Sequence, residues 1–123
     1  MTMQQAISAP ELIVLNTLAR LGKKLDEDFS FQSKFFGGRA EKGGLVIDFL
    51  FFDPPDLAIN VQGIYYHYEQ GAGVIQRDII ARELLAMEGT TLIFIDDDDL
   101  ERDPVYYVRE ALAYRDHSKL GRA

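Results

Sequence analysis

Apolar and polar positions along the chain follow helical and strand periods in turn. Leucines recur at helical spacing from Leu12 to Leu21, which predicts a first amphipathic helix. Ser8 and Glu11 precede this stripe with the spacing of a capping box, and Pro10 suits the first turn. The chain therefore begins with a helix that has its own start signal.

Strand patterns occupy most of the middle of the chain. The nearly continuous apolar run "LVIDFLFF" predicts a buried strand, although it carries one acid, Asp48. The next apolar run ends in two amides, Asn60 and Gln62, and Gly63 closes it. Glycines in "GGRAEKGG" and prolines in "DPPD" predict turns on either side of the buried strand. The four predicted strands are "FSFQSKFF", "LVIDFLFF", "LAINVQG" and "TTLIFID".

Two more helices are predicted in the second half. The segment "VIQRDIIARELLAMEG" is amphipathic, and the residues expected to face the core are Ile75, Ile79, Leu84 and Met87. In "DPVYYVREALAYR", Asp103 is the expected N-cap and Pro104 the first helical residue.

The resulting order is α-β-β-β-α-β-α. Three consecutive strands followed by a helical crossover to a fourth imply an α/β fold with a single mixed four-stranded sheet flanked by helices. Only the "DPPD" turn joins the second and third strands, so we expect these two to be adjacent and antiparallel. Residues 1–123 are predicted to form one domain, with residues 1–7 and 116–123 as flexible tails.

The composition of the chain limits the kinds of function it can have. The chain has 123 residues, 47% of them hydrophobic, and no cysteine, so a real core is expected and thiolate metal sites are excluded. No apolar run approaches the roughly 20 residues that span a bilayer. No signal-peptide pattern is present, so we expect the cytoplasm, or the host cytoplasm for a protein of viral origin. The net charge of −7 argues against bulk coating of nucleic acid.

The segments from Asp48 to Leu112 form an ordered set: an acid in the second strand, a polar third strand ending in glycine, a nearby histidine, a helix with Arg and Asp, a short strand and a last helix. In this chain they are "VIDF", "INVQG", "YYHY", "QRDIIARELLAMEG", "TLIFID" and "LERDPVYYV". The set resembles the PD-(D/E)XK nuclease superfamily, in particular the compact branch of very-short-patch repair endonucleases. The resemblance implies a restriction-endonuclease-like fold and DNA processing of the kind carried by phages and mobile elements.

The chain departs from this family at its chemistry. The family has a carboxylate and usually a lysine two positions apart on the third core strand, where this chain has Asn60 and Gln62. The resemblance implies that Asp48, Asn60 and the Val61 carbonyl hold Mg²⁺ or Mn²⁺. It also implies that Gln62 orients water or phosphate and that His67 acts as the base. Because amides carry no charge, we expect the cation to be held weakly.

Two further groups of residues complete the predicted site. Glu11 and Asp78 are expected to support it. Basic residues that would contact DNA or RNA are Lys34, Arg39, Lys42, Arg77 and Arg82.

Each of these residues also has a structural interpretation. In that interpretation Asp48 bonds the Gly43–Gly44 loop or Arg39, and the two amides bond Asp48. His67 then packs among tyrosines. Asp78 and Arg82, at i,i+4, have the spacing of a surface ion pair. The acidic run from Asp96 to Asp99 is expected to be a solvated turn before the last helix.

Two functions remain open from the sequence. The first is a nuclease-like protein with a depleted active site and weak, divalent-metal-dependent endonuclease activity. The alternative is a catalytically inactive binding or assembly module on the same fold, in which the chain pairs with a partner or with itself. The acidity and the two amides favour the alternative, whereas Asp48 in an apolar strand favours the first.

Overall fold

The computed structural model describes residues 7–31, 40–42, 45–63 and 72–120. Helices and strands follow one another in the predicted order, with one additional strand pair and one short additional helix. The elements are α1 (Ala9–Arg20), β1 (Phe29–Phe31), β2 (Ala40–Lys42), β3 (Leu45–Ile47), β4 (Phe49–Phe51), β5 (Leu57–Gln62), α2 (Ala72–Met87), β6 (Thr91–Asp96), α3 (Asp97–Arg102) and α4 (Pro104–Leu112).

Capping residues determine where two of the helices begin. The Ser8 hydroxyl accepts the Glu11 N–H and the Glu11 carboxylate accepts the Ser8 N–H, so the capping box of α1 is complete. At α4 the Asp103 carboxylate accepts the Tyr106 N–H, with Pro104 in the first turn. Both predicted helix starts are confirmed.

A four-stranded mixed sheet forms the centre of the fold, in the order β1-β4-β5-β6. β4 is antiparallel to both β1 and β5, whereas β5 and β6 are parallel and are joined by the crossover through α2. The mixed sheet flanked by helices is therefore confirmed. β2 and β3 form a separate antiparallel pair.

Apolar side chains cover the two faces of this sheet against different helices. On one face Leu57 and Ile59 of β5 pack in a cluster with residues of α1, α3 and α4. On the other face Ala58 packs with Leu92 of β6 and Leu85 of α2. Because side chains alternate along a strand, residues in step with Ala58, including Asn60 and Gln62, lie on the α2 side.

The predicted strand "LVIDFLFF" is two strands. β3 pairs with β2 and β4 pairs with β1 and β5, and the chain bends between them at Asp48. The apolar run is continuous in sequence, but its two halves belong to two different sheets. The predicted adjacency of this segment with β5 holds for β4. The predicted first strand is described only as far as Phe31.

Helix α2 faces the core with a different side from the one expected. Leu84 and Met87, expected inside, have exposed fractions of 43% and 83%, and Ile80 is 57% exposed. Leu85 is buried in their place, and Ile79 packs against the same cluster as expected. Ile75 lies outside the residues whose side chains are described.

The segment after α4 is packed, against the expectation of a flexible tail from residue 116. Leu120 is 2% exposed within the cluster on the α2 side, and Ser118 is buried. The Asp116 carboxylate accepts the Phe94 N–H of β6, 2.9 Å away. Residues 116–120 therefore cover the outer edge of β6, as β6 is the last strand of the sheet.

Within the described part of the chain, no helix has the length and apolarity that crossing a membrane requires.

Candidate functional site on the α2 side of the sheet

Asp48 and Asn60 meet where β3 and β4 separate. The Asp48 backbone N–H donates to Asn60 Oδ1 at 2.8 Å, and Asp48 Oδ2 accepts the Val61 N–H at 2.9 Å. Each of these two side chains thus forms a hydrogen bond with the backbone where the bend interrupts the bonds between the strands. The predicted convergence of Asp48 with Asn60 is present, and both of these bonds join a side chain to the backbone.

Gln62 is the most buried polar residue of β5, at 1% exposure. Its Nε2 donates to Asp78 Oδ2 of α2 at 3.1 Å. Its Oε1 is buried and has no hydrogen-bond donor among the described residues. An unsatisfied buried acceptor costs about 1–3 kcal/mol, so this oxygen is a place where a donor or a cation would be stabilising.

Asp96 lies beside Gln62. The two residues are register partners at the carboxyl ends of the parallel strands β5 and β6, on the α2 side of the sheet. Asp96 is 1% exposed, and its Oδ2 accepts the Lys119 N–H at 3.0 Å. The carboxyl ends of adjacent parallel strands are a common ligand position in open α/β sheets. The sequence signal for this pair is that both parallel strands end in a polar residue, at Gln62 and Asp96.

The other predicted site residues are distributed differently. Asp78 is half-buried and contacts Gln62, whereas Arg77 is exposed on another side of α2. Arg82 donates to the Leu120 carbonyl at 3.3 Å, so it holds the C-terminal segment. Glu11 caps α1.

Three predicted residues lie outside the described part of the chain. These residues are Lys34, Arg39 and His67. For Lys42 the structure describes the backbone but not the side chain. The prediction that His67 approaches Gln62 remains a prediction.

The acidic run is not a solvated turn. Asp97 to Asp99 begin helix α3, and Asp96 and Asp99 are buried. Carboxylate oxygens of Asp96, Asp98 and Asp99 lie within 4.8 Å of one another, the spacing that a metal ion would require. However, basic side chains of the chain already contact this group. Arg102 pairs with Asp99, and Lys119 Nζ lies 3.9 Å from Asp98 Oδ2.

A second polar cluster, with no role predicted from sequence, joins α4 to the C-terminal segment. Glu110 accepts two hydrogen bonds from Arg115 and lies 2.9 Å from His117 Nε2. The Arg115 hydrogen bond, and then the His117 hydrogen bond, lower the pKa of Glu110 from 4.5 to about 2. The His117 ring packs 5.7 Å from both Tyr106 and Tyr107. These contacts stabilise the turn that follows α4.

Comparisons with protein-family models, with curated proteins and with solved structures find no match to this chain. The geometry of its own residues is therefore the basis for assigning a function.

Proposed function

We propose that the chain is a nuclease-like protein that binds a divalent cation on the α2 side of β5 and acts weakly on phosphodiesters of nucleic acid. The observation that carries the proposal is the Gln62 side chain. Its Oε1 is buried without a donor among the described residues, next in register to Asp96. The Asp96 carboxylate cannot donate a hydrogen bond to this oxygen, so the position suits a cation, a cation-bound water or another donor.

The order of the elements supports the same proposal. The strands of the main sheet follow α1 as three antiparallel neighbours, and α2 then leads to the parallel strand β6. This is the order on which the resemblance to PD-(D/E)XK nucleases rests. Fold alone does not give an activity, so the proposal depends on the site.

The donor set suits a hard cation, which prefers oxygen ligands. Asp48 would supply the anionic oxygen, since a carboxylate has lone pairs beyond the one that accepts the Val61 N–H. Gln62 would supply its amide oxygen, oriented by the bond from its Nε2 to Asp78. When bound, the cation would neutralise and polarise a phosphodiester. Asn60 Oδ1 accepts the Asp48 N–H and so positions Asp48, and its second lone pair could add a neutral oxygen ligand.

A catalytically inactive binding or assembly module is the second candidate. It is favoured by the paired bonds between Asp48 and the Asn60–Val61 segment. These bonds hold two strands together where the ladder opens, and they account for both side chains without any ligand.

Mn²⁺ titration by calorimetry separates the two candidates. Wild type should bind weakly, and Gln62→Glu should bind at least about tenfold more tightly, the equivalent of 1.4 kcal/mol, because it places an anion at the orphaned oxygen. Asp48→Asn should lose binding. Asp98→Asn is the matched control, because this exposed acid at the start of α3 is not one of the proposed ligands and should leave binding unchanged.

Nicking of plasmid DNA completes the test. Cleavage by wild type in Mn²⁺ that stops in chelator and in Asp48→Asn supports the proposal. If wild type and Gln62→Glu both fail to bind Mn²⁺ and to nick DNA, the binding or assembly module is the better assignment. If Asp98→Asn removes binding while Asp48→Asn keeps it, the cation lies at the α3 acids and the proposed site is wrong.

A further inference from the structure

The outer side of α2 carries an apolar stripe that the described part of the chain leaves exposed. Ile80, Leu84 and Met87 are 57%, 43% and 83% exposed. They lie on a different side of the helix from Leu85, which is buried against the sheet. Scattered exposed apolar residues are ordinary, but three on one helical stripe form a continuous surface.

The stripe has the spacing of a helix-pairing seam. From Arg77 the steps to Ile80, Leu84 and Met87 are three, four and three residues, which is the a/d pattern of a coiled coil. Such a seam buries its apolar side chains against a second helix with the same pattern. The α2 helix of a second copy of the chain presents that pattern.

The charges at the two ends of the stripe favour an antiparallel pair. Arg77 lies at the N-terminal end of the stripe and Glu88 directly follows its C-terminal end, and both side chains are exposed. When two copies of α2 run antiparallel with Ile80 of one opposite Leu84 of the other, Arg77 of each copy comes level with Met87 of the other, one residue from Glu88. A parallel pair would instead place Arg77 against Arg77.

We propose that α2 is a homodimer interface in which two copies pack antiparallel across Ile80, Leu84 and Met87, with Arg77 of each beside Glu88 of the other. A stable complex buries about 800 Å² of surface on each partner. Three apolar side chains per copy bury less than this, so we expect the dimer to be reversible. The interface uses the side of α2 that faces away from Gln62, and the proposal is independent of the cation site.

Sedimentation velocity of the full chain tests this, over about 10 to 500 μM, the micromolar range that suits an interface of less than standard size. Wild type should shift from monomer to dimer. Leu84→Glu should raise the dissociation constant at least about tenfold, because it buries an unpaired carboxylate in the pair. Leu12→Glu is the matched control, since Leu12 is 48% exposed on α1 and should leave dimerisation unchanged.

Charge exchange tests the direction of the pair. Arg77→Glu and Glu88→Arg should each weaken the dimer, and the double variant should restore it, since the cross-copy pair is re-formed in reverse. The absence of a dimer at the highest concentration, or equal weakening by Leu12→Glu and Leu84→Glu, overturns the interface. Failure of the double variant to restore association overturns the antiparallel geometry. Circular dichroism of each variant verifies that α2 remains folded.

Discussion

The replacement Asp48→Ala tests the physical role of the junction between β4 and β5. It removes the carboxylate that accepts the Val61 N–H at 2.9 Å, while the Asp48 N–H keeps its bond to Asn60. Val61 lies in β5 beyond the last residue that pairs with β4, in a partly buried position beside β6, so the abandoned N–H would have no strand partner on the β4 side. We expect the variant to fold and to be less stable.

The magnitude follows from the bond that is lost. A backbone donor left without its charged acceptor in a partly buried position costs about 2 kcal/mol, within the range of 1–3 kcal/mol for such groups. For a domain of this length, 1 kcal/mol corresponds to about 4 °C, so the melting temperature should fall by about 8 °C. Asp48→Asn keeps an acceptor oxygen and should lose less than about 1 kcal/mol.

Thermal and urea unfolding followed by circular dichroism, in chelator so that no cation contributes, provide the measurement. Glu101→Ala is the control, because this exposed acid of α3 should change stability by less than about 0.5 kcal/mol. If Asp48→Ala is as stable as wild type or more stable, the bond to Val61 makes no net contribution. Asp48 would then be a strained charge whose retention requires a ligand, and its carboxylate would not stabilise the junction.

Two further predictions concern the C-terminal part of the chain. Because the folded pKa of Glu110 is about 2 and its ordinary value is 4.5, its stabilising effect is complete above pH 4.5 and is lost as pH falls to about 2. The melting temperatures of wild type and Glu110→Gln should therefore converge across that window, and a constant difference between them would contradict the Arg115 and His117 contacts. Leu120→Ala should cost about 2–3 kcal/mol in urea unfolding, because the side chain is buried at 2% exposure. The exposed Leu25→Ala should cost less than about 0.5 kcal/mol, and equal small effects of the two would show that the C-terminal segment is not packed.

The features predicted correctly from the sequence are those encoded by neighbouring residues. The cap of α1 needs only Ser8 and Glu11, and the cap of α4 needs only Asp103 and Tyr106. The adjacency of β4 and β5 follows from the short turn between them. Such signals act over three to six residues, so a single sequence contains all of the information they require.

The orientation of α2 could not be predicted in the same way. Its apolar residues lie on two sides, with Ile79 and Leu85 against the sheet and Ile80 and Leu84 exposed. Periodicity identifies a helix when one stripe is apolar, but here two stripes compete. Only the shape of the sheet and the C-terminal segment that packs beside α2 determine which one is buried.

The polar contacts of the candidate site depend on residues that are distant in sequence. Asp48 bonds a backbone group 13 residues away, and Asp96 bonds one 23 residues away. Asp48 is flanked by apolar residues that predict an uninterrupted strand, and nothing nearby in the chain marks the bend there. Asp48 was a candidate from the sequence, whereas Asp96 was expected in a solvated turn, and the partners of both residues could be found only from the fold.

The bend at Asp48 also determines how the backbone of the sheet exchanges hydrogen with solvent. The amide hydrogens of Asp48 and Val61 are protected by side-chain oxygens, whereas most of their neighbours in β4 and β5 bond to other strands. Opening the junction requires only that two side chains rotate, so these two amides can exchange without global unfolding. In a deuterium-exchange experiment they would act as local reporters, sensitive to a ligand that holds the Asp48 carboxylate or draws it away from the backbone.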